Sequence, residues 1–151
     1  MTWDDFFMGL AQYVAQKSKD RSRKIGAVAV DQRNVVLSLG WNGFPRGVND
    51  DVEERHARPK KYFWVVHAEG NLVANASAKG VSLLGAKMYV NWYPCCDCAK
   101  IVVQAGFSEV VCLEPDWDDA NWAEHFKIAR ELFAEAGVKV RFVGKFEQKP
   151  T

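Results

Sequence analysis

Two short segments carry the side chains best suited to chemistry. One is His67-Ala68-Glu69, and the other runs from Pro94 to Cys98 with cysteines at positions 95, 96 and 98. Histidine and cysteine are common zinc ligands in proteins. Cys95 and Cys98 are three positions apart, so they share one face of the first turn of a predicted helix. Together the two segments predict a metal centre built from His67, Cys95 and Cys98.

The ligand count indicates what such a zinc ion would do. Three protein ligands leave a fourth tetrahedral position for water, as in catalytic zinc sites. Water activated by zinc is a usable nucleophile near neutral pH, and Glu69 is placed to move protons. Two other interpretations stay open: a Cys-x-x-Cys redox pair, and a zinc-stabilised binding module with a fourth protein ligand and no need for Glu69. Cys96 is expected to point away from the centre and Cys112 to lie in the core.

Each segment is predicted to begin a helix, one over His67–Lys79 and one over Cys95–Ala105. Side chains in a first turn lean toward the helix N-terminus, so His67 and Glu69 can both reach an ion lying off that end. Two helix N-termini directed at one point also favour the thiolate forms of the cysteines.

The other predicted elements alternate between strand and helix. They are a helix around Trp3–Val14, strands at Ile25–Val30, Val35–Leu39, Lys87–Val90, Val110–Leu113 and Val138–Phe142, and a helix over Trp122–Phe133. We expect an irregular loop over Gly40–Gly47 and no regular element over Val48–Lys61. Strands joined by crossover helices indicate an α/β protein with a mixed sheet covered by helices.

Length and composition restrict the function classes. The 151 residues predict a single domain, 1–151, with 48% apolar and 26% charged residues. A net charge of +1 argues against binding of long nucleic acid. The sequence contains no apolar run that predicts a membrane span and no secretory signal. We therefore expect a cytoplasmic protein whose four cysteines are thiols or metal ligands.

The metal motifs resemble those of the zinc-dependent cytidine deaminase superfamily and, within it, of the deoxycytidylate (dCMP) deaminases. Gly40–Gly47 is similar to that family's Gly-Tyr-Asn-Gly-x-Pro-x-Gly segment, with Trp41 in place of tyrosine. The resemblance covers about residues 15–115. It implies a cytidine-deaminase-like three-layer α-β-α fold with a mixed five-stranded sheet.

The resemblance also implies an activity, the zinc-dependent hydrolytic deamination of dCMP to dUMP and ammonia, which feeds thymidylate synthesis. One catalytic zinc ion is expected per chain. Glu69 would take a proton from the activated water and deliver it to N3 and then to the departing amine. The backbone of Ala68 would hold the base, and Asn42 would bind the sugar or the base edge. Deaminases acting on dCTP, cytidine or tRNA adenosine remain alternatives.

Further substrate contacts are expected from aromatic and basic residues. Trp117 is the candidate for stacking on the pyrimidine, with Tyr93 as its rival, although either could be a packing aromatic. Lys19 and Arg23, from the basic run Lys19–Lys24, are the candidates for the substrate phosphate. Such a run more often forms a solvated face.

Members of the resembled family are regulated by end products and assemble as hexamers. The resemblance implies that dCTP activates and dTTP inhibits, with Mg²⁺ on the triphosphate. The expected effector-binding residues are Gly40, Trp41, Asn42, Gly43, Arg46, Gly47 and Lys79.

Overall fold

Strands and helices alternate along the chain as the sequence predicts. The computed structural model describes residues 1–146. The elements are α1 (Trp3–Ala15), β1 (Gly26–Val30), β2 (Val36–Trp41), a 3₁₀ turn (Glu53–Arg55), α2 (Lys61–Trp64), α3 (Ala68–Lys79), β3 (Lys87–Val90), α4 (Cys96–Ala105), β4 (Glu109–Glu114), α5 (Ala123–Ala136) and β5 (Lys139–Lys145).

The five strands form one mixed sheet in the order β2-β1-β3-β4-β5. β1 is antiparallel to both of its neighbours. β3, β4 and β5 are parallel, because α4 and α5 form the crossovers between them. The predicted α/β class and mixed sheet are confirmed.

Helices cover both faces of the sheet and produce three layers. α1 packs on one face, where Val28 and Val30 of β1 join its apolar side chains. α3, α4 and α5 pack on the other face, against Ala27 and Ala29. β1 is therefore buried on both faces, which explains its uninterrupted apolar sequence.

β2 extends two residues beyond the predicted strand. Gly40 and Trp41 were expected in an irregular loop, but they pair with Ala27 and Gly26 of β1. A Cβ atom on Gly40 would lie 2.4 Å from the backbone nitrogen of Leu72 in α3. The glycine thus allows α3 to pack directly against β2, and the loop prediction was wrong for these two residues.

The polar segment between β2 and α3 contains more structure than its composition indicates. The 3₁₀ turn lies within Val48–Lys61, for which no element was expected. Further along, Gly43 and Val66 form a two-way backbone bridge, with N···O distances of 3.0 and 2.8 Å. This bridge joins the end of β2 to the residue before His67. Within the described residues, no helix has both the length and the apolar character needed to cross a membrane.

Candidate metal centre and active site

The two predicted metal-ligand segments converge at helix N-termini. His67 is the N-cap of α3, Cys95 is the N-cap of α4, and Cys98 lies in the first turn of α4. The Nδ1 atom of His67 lies 3.4 Å from Sγ of Cys95 and 3.3 Å from Sγ of Cys98. Because the donors are N-cap and first-turn residues, the N-termini of both helices lie at this cluster.

The donor set fits zinc. One imidazole nitrogen and two cysteine sulfurs, all within 4.8 Å of one another, are ligands that zinc prefers. Among residues 1–146 no fourth histidine, cysteine, aspartate or glutamate donor joins the cluster. The arrangement therefore resembles an open, catalytic zinc site more than a closed, structural one. Cys96 lies outside it, with Sγ 3.1 Å from Nδ1 of His125. Cys112 is fully buried in β4, as expected.

The pKa values of the three donor side chains are shifted because the donors contact one another, and these shifts are consistent with a cation-binding site. Hydrogen bonds from Cys98 and His67 lower the pKa of Cys95 to about 4. The same pairing and burial raise the pKa of Cys98, because a second thiolate would face the first. The hydrogen bond to Cys95 raises the pKa of His67 to about 9. A divalent cation would replace these protons as the partner of both sulfurs.

Glu69 is buried beside the cluster, in the first turn of α3, with only 2% of its surface exposed. Burial raises the pKa of its carboxyl group, and the positive charge of His67 opposes that effect. A carboxyl group with a raised pKa can both accept and donate a proton near neutral pH. This position suits a general acid–base group.

The cluster opens into a cavity of about 60 Å³, here called the metal-site cavity. Its lining combines the metal-site residues with cationic and aromatic side chains. The residues are Asp20, Arg23, Ile25, Asn42, Arg58, Lys61, Tyr62, Val65, His67, Glu69, Trp92, Cys95 and Trp122.

Two of the predicted substrate-binding side chains line this cavity. The guanidinium of Arg23 lies 3.6 Å from the ring centroid of Trp92. Asn42 is 5% exposed. Its Oδ1 accepts a hydrogen bond from the Ile25 backbone at 2.9 Å, and its Nδ2 donates to the Arg23 carbonyl at 2.8 Å. Asn42 therefore also holds the segment that carries Arg23. Ala68 is buried at the start of α3.

Trp117 and Tyr93 lie elsewhere. They line a separate cavity of about 440 Å³, and their ring centroids are 5.2 Å apart. Tyr93 is 1% exposed because its ring packs in the core against Phe126 of α5 and Phe142 of β5. The structure does not bring either aromatic to the metal centre, and their predicted stacking on the base receives no support from position.

Sequence reasoning missed Trp122. Its ring centroid lies 6.1 Å from that of His67, and it lines the metal-site cavity. In the sequence it begins the apolar stripe of α5 and is typical of a core position. No local signal separates it from Phe126, which is in the core. Only the packing of α5 beside α4 shows the difference.

A second cavity, of about 230 Å³, lies next to the first and is here called the basic cavity. Its lining contains four basic side chains, two carboxylates, and aromatic and other residues: Lys17, Lys19, Asp20, Arg21, Trp41, Asn42, Gly43, Phe44, Asp50, His56, Lys61 and Val65. Lys19, predicted to bind the substrate phosphate, lines this cavity instead of the metal-site cavity and pairs with Asp50 at 2.9 Å.

The predicted effector-binding residues are divided among several places. Trp41, Asn42 and Gly43 line the basic cavity. Gly40 faces α3, and Arg46 donates a hydrogen bond to Asn75 at 2.8 Å beside a smaller cavity. Gly47, with φ +80°, and Lys79 are exposed.

Fold and site together define a zinc-dependent deaminase of nucleotide bases, and comparison with known proteins agrees. Residues 1–114 match the family model of the cytidine and deoxycytidylate deaminase zinc-binding region. The chain belongs to this family.

Relatives named deoxycytidylate deaminase occur in Homo sapiens and Mus musculus. The human protein is 39% identical over 146 residues, covering 93% of this chain and 79% of its own length. The mouse protein is 38% identical over 154 residues, covering 98% and 84%. The dCMP deaminase of cyanophage S-TIM5, solved in complex with dCMP and dUMP, superposes with a TM-score of 0.74 at 26% identity. That superposition covers 92% of this chain and 95% of the phage chain.

Proposed function

We propose that this chain catalyses the hydrolytic deamination of dCMP to dUMP and ammonia. The observation that carries the proposal is the position of Glu69, buried beside three zinc-type donors in a cavity that also contains arginine side chains. The deoxycytidylate deaminases to which the chain is similar support dCMP as the substrate.

His67, Cys95 and Cys98 would hold the zinc ion, which when bound supplies the Lewis acidity that makes water a nucleophile near neutral pH. Glu69 accepts the proton of that water and delivers it to N3 of the pyrimidine. A C4–O bond forms. Glu69 then takes the remaining proton from the new C4 hydroxyl and transfers it to the amine, and the C4–N bond breaks as ammonia leaves and the C4 carbonyl forms. The raised pKa of Glu69 suits both transfers.

The start of α3 can hold the base. Ala68 is the first helical residue, so its backbone N–H has no partner within the helix. It adjoins both His67 and Glu69, and it can therefore donate a hydrogen bond to a base positioned at the metal centre. Trp122 lies at the same place and is our candidate for the aromatic contact with the pyrimidine, instead of Trp117 or Tyr93.

Arg23 and Arg58 are suited to the substrate phosphate. Both line the metal-site cavity, and neither belongs to an ion pair in the described part of the chain. Guanidinium groups bind phosphate through paired N–H donors. This arrangement favours a nucleoside monophosphate over a free nucleoside.

The test is the Glu69→Gln variant, assayed for ammonia release from dCMP, deoxycytidine and dCTP. Loss of the acid–base group should lower kcat for dCMP by about 10²–10⁴-fold, because proton transfer contributes that much. Zinc content should be unchanged, since Glu69 is not among the donors. Glu124→Gln, an exposed change in the first turn of α5, is the matched control. Wild-type turnover by a folded, zinc-loaded Glu69→Gln protein would disprove the mechanism.

We further propose that a nucleoside triphosphate with Mg²⁺ binds the basic cavity, with dCTP activating and dTTP inhibiting. The lysine and arginine side chains and Trp41 in that lining support the proposal.

A hexameric assembly and a single domain spanning 1–151 are proposed as well. Four free thiols, two of them in the metal cluster, are consistent with the proposed cytoplasmic location. Initial rates with each effector and light scattering of the zinc-loaded protein test regulation and assembly.

A further inference from the structure

The metal-site cavity and the basic cavity share a wall. Asp20, Asn42, Lys61 and Val65 line both. Two of these form an ion pair, with Nζ of Lys61 3.2 Å from Oδ2 of Asp20 and side chains only 10% and 8% exposed. Desolvation largely offsets the attraction in a buried pair, so stability alone is a weak explanation for it.

Asp20 fixes the segment that carries Arg23. Its Oδ1 accepts hydrogen bonds from the backbone N–H groups of Ser22, at 2.8 Å, and Arg23, at 3.0 Å. The side chain of Arg23 then enters the metal-site cavity and lies against Trp92. A change in the position of the Asp20 carboxylate is therefore transmitted to Arg23 through two short backbone contacts.

Lys61 connects the same carboxylate to a second segment of the cavity lining. It is the first residue of α2, and the next residue, Tyr62, lines the metal-site cavity. The ion pair thus joins the segment 20–23 to α2. Asn42, which also lines both cavities, provides a second connection to the Arg23 segment. Its side chain hydrogen-bonds to the backbone of Arg23 and Ile25.

We propose that the Asp20–Lys61 ion pair positions Arg23 for the substrate phosphate, and that a polyanionic ligand in the basic cavity acts on the metal-site cavity through this pair. The inference rests on two parts of the proposed function, namely that Arg23 binds the substrate phosphate and that a triphosphate binds the basic cavity. Lys17, Lys19 and Arg21 line this cavity, and the last two pair with Asp50 and Glu53, carboxylates that a polyanion would replace. Trp41 supplies an aromatic surface, and the combination fits a nucleoside triphosphate. A phosphate beside Lys61 competes directly with Asp20 for its ammonium group.

The test uses Lys61→Met and Asp20→Asn in the zinc-loaded protein, with Lys60→Met as the matched control. Lys60 is adjacent but 64% exposed, and it pairs on the surface with Glu54. Asn at position 20 retains an oxygen that can accept from the backbone of Ser22 and Arg23, so this variant removes the charge with the least risk to folding. Circular dichroism and zinc analysis establish that each variant is intact.

Both variants should raise KM for dCMP and the Kd of dUMP about tenfold while kcat changes less than twofold, because a displaced Arg23 weakens phosphate binding. The Kd of deoxyuridine, which has no phosphate, should be unchanged by calorimetry. The shift of KM produced by Mg·dCTP in the wild type should disappear in both variants and persist in Lys60→Met.

Equal weakening of dUMP and deoxyuridine, or wild-type KM and dCTP response in both variants, would overturn the inference. So would a wild-type KM that does not respond to Mg·dCTP. The binding comparison needs no turnover. A wild type that binds dUMP but does not deaminate dCMP would therefore contradict the proposed function alone.

Discussion

The three donor side chains of the metal centre have unequal proton affinities although they are in mutual contact. Cys95 is the easily ionised thiol, whereas the pKa values of Cys98 and His67 are raised. A cation must displace the protons of these last two groups. Metal affinity is therefore expected to rise with pH until both have been released.

Removal of one sulfur should release the metal. Cys98→Ser is expected to lower zinc affinity by more than about 100-fold, because changes that only touch the partners of ligands already cost about 10–100-fold. Zinc content after dialysis against a chelator measures the loss. Cys96→Ser is the control, since Cys96 bonds His125 and lies outside the cluster. Equal retention of zinc by the two variants would exclude Cys98 as a ligand.

Trp122 and Trp117 provide a paired test of the aromatic contact. Trp122→Leu should raise KM for dCMP about tenfold, because stacking of a base on an aromatic side chain contributes about 1–3 kcal/mol. Trp117→Leu should leave KM near the wild-type value, since Trp117 lines the separate cavity with Tyr93 and Arg130. Steady-state kinetics distinguish the two, and a larger effect at Trp117 would restore that residue as the stacking partner.

The ends of the longer helices were the most predictable features of the fold, because the residues that cap a helix lie next to it in the sequence. Thr2 and Asp5 form the capping box expected at the start of α1. Gly80, Gly106 and Gly137 end α3, α4 and α5 with positive φ angles of 67°, 87° and 75°. Gly40 is also a glycine, but it does not end a helix. It lies in strand β2, where the absence of a side chain allows α3 to pack closely. A glycine signals a loop or a close approach, and sequence alone does not distinguish them.

The contact between β2 and α3 can be tested at Gly40. Gly40→Ala would place Cβ 2.4 Å from the Leu72 nitrogen and 2.6 Å from the Ala68 carbonyl oxygen, both backbone atoms. Overpacking of this kind costs about 1–3 kcal/mol. We expect that loss in urea unfolding, together with a lower kcat, because α3 carries Glu69 and begins beside His67.

Gly9→Ala is the opposite control. Gly9 lies in α1. Apart from its chain neighbours and the backbone of its own helix, no atom of the described residues lies within 4 Å of the position that a Cβ atom would take there. Alanine at this position should therefore add about 0.5–1 kcal/mol of stability. If both glycine variants unfold at the same urea concentration, the close approach of α3 has no energetic importance.

A charge network joins the beginning of the chain to its last strand. Arg141 of β5 binds both carboxylate oxygens of Asp4, at 2.7 and 3.1 Å, and also bonds Glu109. The Tyr89 hydroxyl donates to Asp4 at 2.7 Å. These contacts anchor α1 across β3, β4 and β5.

Acid should weaken this network. The hydrogen bonds from Arg141 lower the pKa of Asp4 to about 2, below its ordinary value of 3.8. A lowered folded-state pKa stabilises the protein above about pH 4, and the contribution is lost as the pH falls toward 2. Because both side chains are about one third exposed, solvent screening limits the contribution to about 1 kcal/mol.

Asp4→Asn should therefore lower the free energy of unfolding by about 1 kcal/mol at pH 7 and by about half as much at pH 3. Urea unfolding at the two pH values measures the difference. Glu135→Gln, an exposed change in α5, should have no such effect. A pH-independent deficit in Asp4→Asn would show that the charge of Asp4 is not the cause.

The sequence by itself determined the existence of the five strands and the four longer helices, the α/β class and the candidate donors of the metal centre. His67 and Cys95 are helix N-caps, and Glu69 and Cys98 lie in the first turns that follow, where spacing of a few residues decides which side chains share a face. The resemblance of the chain to the cytidine and deoxycytidylate deaminases is visible in the same short motifs.

Only the tertiary structure decided which distant side chains surround that centre. It placed Trp122 there instead of Trp117, and it separated Arg23 from Lys19 by the shared wall of two cavities. The Asp20–Lys61 pair joins residues 41 positions apart. Such contacts depend on strand order and helix packing, which local propensity and spacing do not encode.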